Sequence, residues 1–195
     1  MDGSLKCQRA IKSFWPFVLL LVPIIVVYLL GHWHLERWCG KSVNEHIALP
    51  LVFLSVLGYG GLSIYYRNEF LLVMFILSVD FFCREWHFAG TTYGVYMVAA
   101  ILGCWVMYRR KAIVGSIKKT PVEIWLWATV GCYLLSILIS RRVFAPNHLG
   151  LLPMEEQFHI PLEESEETMA HIMLALTCLV AWWQFRKSKV NEQGM

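Results

Sequence analysis

Asp80, Arg84, Glu85 and His87 fall within eight positions at the end of the apolar run FLLVMFILSVDFFCREWHF. Ionisable groups are expensive in or near a bilayer, so their presence in such a run asks for a reason. On a helix, Asp80, Arg84 and His87 stand at i, i+4 and i+7 and share one face. Asp80 then lies roughly 12 Å below the Phe88 end of the segment, at 1.5 Å per residue. A second group of the same kind appears in EESEETMAHIM, where Glu164, Glu167 and His171 stand at i, i+3 and i+7. If the bundle brings these two segments together, two half-sites of acid plus histidine converge.

Zinc catalysis uses three nitrogen or oxygen ligands and a water whose pKa falls to about 7. His87, His171 and one of Asp80, Glu164 or Glu167 meet that count, for zinc or another divalent metal. Glu85 and Glu167 are then candidates for acid–base catalysis. Arg84, with Arg141 and Arg142, suits a phosphate oxygen pair, because guanidinium binds phosphate bidentately. The same residues also describe a metal-free site with histidine as base and arginine as anion clamp. The substrate implied is a lipid or a lipid-linked headgroup.

These groups need elements to hold them. Of the 195 residues, 57% are hydrophobic and 16% are charged, with 9 Trp, 8 Tyr and 11 Phe. Soluble domains carry about 25% charged residues. The deficit points to membrane burial, and the aromatic content suits the water–lipid interface. Six apolar segments are long enough to span: about 14–31, 46–66, 69–88, 91–108, 121–140 and 162–185. A backbone in lipid must satisfy its own hydrogen bonds, so each is expected to be a helix. The fold class is therefore all-α, a polytopic bundle of about six transmembrane helices forming one domain over 1–195. Asn44 is read as an N-cap of the second helix. Ser55, Gly58, Gly60, Gly61 and Ser63 give that helix a small-residue surface. Pro121 is read as a first helical residue. A long loop is expected over about 141–161.

Orientation follows from basic residues. Lys6, Arg9, Lys12, Arg67, Arg109, Arg110, Lys111, Lys118, Lys119, Arg186, Lys187 and Lys189 fall on one side, leaving Arg37, Lys41, Arg84, Arg141 and Arg142 on the other. The positive-inside rule then places both termini in the cytoplasm. All seven histidines (32, 34, 46, 87, 148, 159, 171) fall on the outer side. In a bacterium the membrane would be the inner one. The net charge of +3 is small and locally patterned, which argues against a nucleic-acid partner.

Plainer structural roles also fit. Glu163, Glu164, Glu166 and Glu167 follow Pro161 at an expected helix start, where acids suit the macrodipole. Asp80 and Arg84 make a plausible structural ion pair. The six cysteines show no CxxC or zinc-finger spacing, although a Cys39–Cys83 bond is allowed. A non-catalytic protein that handles protons or ions, senses, or binds a partner is the alternative function. A haem b protein with His87 and His171 as axial ligands is a further one. There is no HExxH, GxSxG, Walker loop or GxGxxG. In kind, the outward acid–histidine arrangement is similar to the seven-helix membrane hydrolases of the alkaline ceramidase and adiponectin-receptor group. Their last helix carries HxxxH; here Glu167-Thr-Met-Ala-His171 stands instead and the helix count differs by one, so no membership follows.

Overall fold

The computed structural model describes residues 14–35, 39–86, 91–152 and 155–193. Among them the chain is entirely helical. A 3-10 segment, Trp15–Leu21, runs into α1 (Val22–His32). Then come α2 (Lys41–Tyr66), α3 (Glu69–Glu85), α4 (Thr91–Tyr108), α5 (Arg110–Ile117), α6 (Pro121–Ser140) and α7 (Glu155–Gln193). Four stretches are long and apolar enough to cross a membrane: Trp15–His32, Lys41–Tyr66, Pro121–Ser140 and Glu156–Val190. Gly94–Tyr108 is a shorter apolar helix. This makes the chain an all-helical integral membrane protein.

The helix ends follow local chemistry. Asn68 caps α3: its backbone is extended and its side chain accepts from the N–H groups of Phe70 (2.9 Å) and Leu71 (3.4 Å). Asn44, expected as a cap, sits inside α2 instead. Among the described residues, four non-glycine positions adopt positive φ: His34, Arg67, Lys119 and Arg142, each just past a helix C-terminus. That conformation lets the chain turn back and satisfy the last carbonyls. At Arg142, for example, Val143 N–H reaches the Leu138 carbonyl at 3.0 Å. The side chains there are basic, or histidine, and a cation suits the negative end of a helix.

The chain packs as two compact units. The first comprises Met1–Ile47 and Ile124–Met173, the second Ala48–Glu123 and Leu174–Met195. Helices α2 and α7 each contribute to both.

In the first unit, the 3-10 segment approaches α6 closely: a Cβ on Gly131 would meet Leu20 Cδ2 at 2.9 Å. Trp15 and Trp125 meet edge to face, 4.9 Å between centroids. An apolar cluster of Val27, Cys39, Ile139, Phe158 and Leu162 lies at the heart of this unit, with Phe144 and Leu152 packed on it. The cluster explains why α7 begins at Glu155 and not after Pro161. A proline in a helix interior removes a hydrogen bond, here to the Gln157 carbonyl, and usually ends the helix. Phe158 and Leu162, four residues apart across Pro161, are both buried in the cluster. Tertiary packing of one helical face outweighs the local cost. The loop expected over 141–161 is shortened accordingly.

In the second unit, α3 packs against α4 and α5. Gly58 of α2 lets Cys178 of α7 approach, since a Cβ there would meet its Sγ at 2.6 Å. Gly60 does the same for Phe75, whereas Gly61 has nothing within 4 Å. The small-residue surface is thus used at Gly58 and Gly60. Helix α5, not foreseen from the sequence, buries Ile113 and Ile117 one turn apart. The described cysteines are free thiols, so the Cys39–Cys83 bond that the sequence allowed is not made.

Candidate functional site

Among the described residues, the first unit holds most of the buried polar side chains. Its buried polar residues are Asn44, Thr129, Ser136, Glu166, Thr168 and His171. Helix α7 contributes three of them on its covered face: Ala170, Met173 and Leu174 beside His171 are all 0% exposed, whereas Met169 and Ile172 are partly exposed. An imidazole in such surroundings needs a partner. The Tyr133 hydroxyl, projecting from α6, provides one at 2.8 Å from His171 Nδ1. The rings meet edge to face, 5.6 Å apart. This contact fixes the orientation of the imidazole.

Glu167 lies one turn before His171. A carboxylate oxygen of Glu167 and a ring nitrogen of His171 come within 4.8 Å of each other. Glu164 stands one turn further toward the start of α7, half-buried. The face expected from the i, i+3, i+7 spacing is therefore formed. A second tie runs from α2. Asn44 Nδ2 donates to the Cys39 carbonyl at 2.9 Å, while its Oδ1 accepts from Thr168 Oγ1 at 3.1 Å. Asn44 and Tyr133 together tie α7 to its neighbours just after Glu167, at Thr168 and His171.

Glu166 departs most from expectation. The sequence offered a helix-start role for Glu163 through Glu167, but α7 begins at Glu155, so these acids are two to three turns inside the helix. The macrodipole acts only within the first turn, so it does not account for them. Glu163 instead lies 3.6 Å from the His159 ring on the same helix, at i, i+4. Glu166 is 0% exposed, and neither carboxyl oxygen has a hydrogen-bond partner among the described residues.

The α3 candidates are in the second unit, whereas Arg141 and Arg142 fall in the first. Asp80, Arg84 and Glu85 lie on α3, all half-buried, with Arg84 and Glu85 engaged in contacts. Asp80 Oδ2 is buried and has no hydrogen-bond partner among the described residues. His87 lies outside the described residues, as do Lys6, Arg9, Lys12 and Arg37.

Two participants escaped the sequence reading. Tyr133 reads as one more aromatic in an apolar span, and only its hydroxyl hints at a polar partner. Thr168 reads as a neutral residue among acids. No family model, curated protein or solved structure matches this chain, so its function has to be argued from the residues themselves.

Proposed function

We propose that the chain is a membrane-embedded enzyme that hydrolyses or transfers a group on a lipid or lipid-linked substrate. Its acid–base core is Glu167 with His171. The observation that carries this reading is the Tyr133–His171 hydrogen bond of 2.8 Å beside Glu167. A histidine held by one neighbour and flanked by a carboxylate is the arrangement general-base catalysis needs. His171 takes a proton from the attacking water or hydroxyl. Tyr133 holds the ring, and the Glu167 charge stabilises the imidazolium that forms. Half-buried Glu167 lies on the more open side of this pair, since His171 is only 1% exposed.

A six-span bundle with both termini cytoplasmic and this site toward the outer face completes the proposal, on the positive-inside distribution of the basic residues. A divalent metal on His171 and Glu167 would add a Lewis acid. Zinc sites use three protein ligands, and this pair supplies two.

The test begins with elemental analysis of detergent-purified protein and of His171→Ala. Turnover on a panel of fluorogenic lipid esters and phosphoesters follows, with His171→Gln and Glu167→Gln beside the wild type. Arg84→Gln and Glu85→Gln test the α3 group separately. Activity that disappears in the α7 variants while they remain folded supports the reading. Stoichiometric metal lost with His171 converts it to a metal-assisted one.

The alternative is a non-catalytic protein with a structural polar network. The Asn44–Thr168 bond favours it, because that bond joins helices and presents nothing to a substrate. It gains if His171→Gln and Glu167→Gln both fail to accumulate as folded protein.

A further inference from the structure

The second unit ends in a ring of aromatic and basic side chains. Tyr65 and Tyr66 close α2, and Tyr66 packs on Phe185 of α7, 5.6 Å between ring centroids. Lys189 Nζ stands 4.1 Å from the Tyr65 ring centroid. Arg186 lies over Trp182 at 5.5 Å and Lys187 over Trp183 at 5.6 Å. Tryptophan and tyrosine settle at the headgroup level of a bilayer, so this ring marks where the unit meets the membrane surface. Cations stacked on them are held at the same depth.

Beside this ring, the turn between α5 and α6 and the last turns of α7 flank an open recess of about 310 Å³. Lys119, Thr120, Trp183, Gln184, Lys187 and Ser188 line it. The two lysines enter from different elements, one from the turn and one from α7. The hydroxyls are spent locally: Thr120 donates to the Ile117 carbonyl and Ser188 to the Gln184 carbonyl. The side-chain amide of Gln184 has its Oε1 buried with no hydrogen-bond partner among the described residues. Rotating that amide exchanges its oxygen for an NH2 donor at almost no steric cost. Glu123 is nearby, and its carboxylate accepts the Lys119 backbone N–H at 2.6 Å. At the same end Glu69 is paired with Arg109. The recess thus offers two ammonium groups and an amide, at headgroup depth.

We propose that this recess binds the phosphate of an anionic membrane lipid, with Lys119 and Lys187 contacting its oxygens and Trp183 setting its depth. Basic pockets between membrane helices bind acidic headgroups in this way. The site is independent of the acid–histidine site in the first unit.

The test uses full-length protein, stripped of lipid in a neutral detergent. It is titrated with short-chain phosphatidylglycerol, phosphatidylcholine or inorganic phosphate while the thermal midpoint is followed. Phosphatidylglycerol is expected to raise the midpoint, and the other two are not. Lys119→Gln combined with Lys187→Gln is expected to weaken the apparent affinity for phosphatidylglycerol about tenfold or more. Lys41→Gln, which removes the same charge from the first unit, should leave it unchanged. Both lysines are exposed, so the variants should fold, and each single substitution gives a partial loss. An equal response to phosphatidylcholine overturns the proposal, as does a double variant that responds like the wild type. A full response to inorganic phosphate overturns the lipid assignment in favour of a free-anion site.

Discussion

The first unit buries a carboxyl, an imidazole and an amide; among the described residues, the polar side chains that the second buries whole carry hydroxyls, at Ser55, Tyr59, Ser78 and Thr177. In the second unit, Ser55 donates to the Leu51 carbonyl and Ser78 to the Met74 carbonyl, one turn back on their own helices, while the Tyr59 hydroxyl donates to the Leu174 backbone carbonyl at 3.4 Å. The serine bonds are local and ask nothing of a neighbouring helix. In the first unit side chain meets side chain between helices: Asn44 and Thr168 over 124 positions and Tyr133 and His171 over 38. The strong ion pair of the second unit, Arg109 with Glu69, lies at its partly exposed end, where water and headgroups screen it. Buried groups that reach between helices are costly unless matched. Their concentration in one unit is the reason to look for chemistry there.

That contrast can be broken most forcefully at His171. His171→Gln is expected to lower turnover by about 10²–10⁴-fold while leaving the thermal midpoint nearly in place. Tyr133→Phe should give a smaller loss of turnover that appears in kcat. If both variants lose fold and not rate, the first unit's polar groups are scaffolding, and the contrast loses its functional meaning.

Packing glycines come next. Gly31→Ala would put a Cβ 2.5 Å from Phe158 Cζ, and Gly58→Ala one 2.6 Å from Cys178 Sγ. Each is expected to destabilise by about 1–3 kcal/mol through overpacking. Similar costs in the two units, read from chemical unfolding in mixed micelles, would show that apolar packing is alike and only the polar content differs. Gly61→Ala, which meets nothing within 4 Å, should instead stabilise α2 by roughly 0.5–1 kcal/mol.

Glu166→Leu sharpens the comparison in the opposite direction. Removing a buried carboxyl that has no partner among the described residues relieves a desolvation cost of roughly 1–3 kcal/mol. The variant should match or exceed the wild type in thermal midpoint. A marked loss would mean that Glu166 carries an interaction the first unit depends on. The smallest effect is expected at Arg109→Gln, whose pair is about half exposed. Its midpoint should move little, and less still as salt is raised.

Much of the scaffold was readable in advance. Apolar length identified the four helices long and apolar enough to cross a membrane, and Pro121 does open α6. Gly58 and Gly60 do mark close approaches. The failures share a cause, which is that a local signal was overridden by contacts distant in sequence. Pro161 reads as a stop, yet Phe158 and Leu162 are drawn into a cluster with Val27 and Ile139. That misplaced start made Glu166 look like a helix-end acid. Asn44 reads as a cap because its bond to Thr168 has no trace in neighbouring residues. The i, i+3, i+7 face of Glu164, Glu167 and His171 was legible because it is a property of one helix. Tyr133 was not, because it belongs to another.

The cysteines give this molecule a built-in reporter. Cys39 and Cys132 are buried in the first unit and Cys178 in the second, while Cys104 is exposed. Thiols shut away from solvent are slow to react with alkylating reagents. Counting modified sites against time therefore measures breathing of each half without any added label. An early loss of protection at Cys132, ahead of Cys178, would identify the half that carries the acid–histidine pair as the one that opens first.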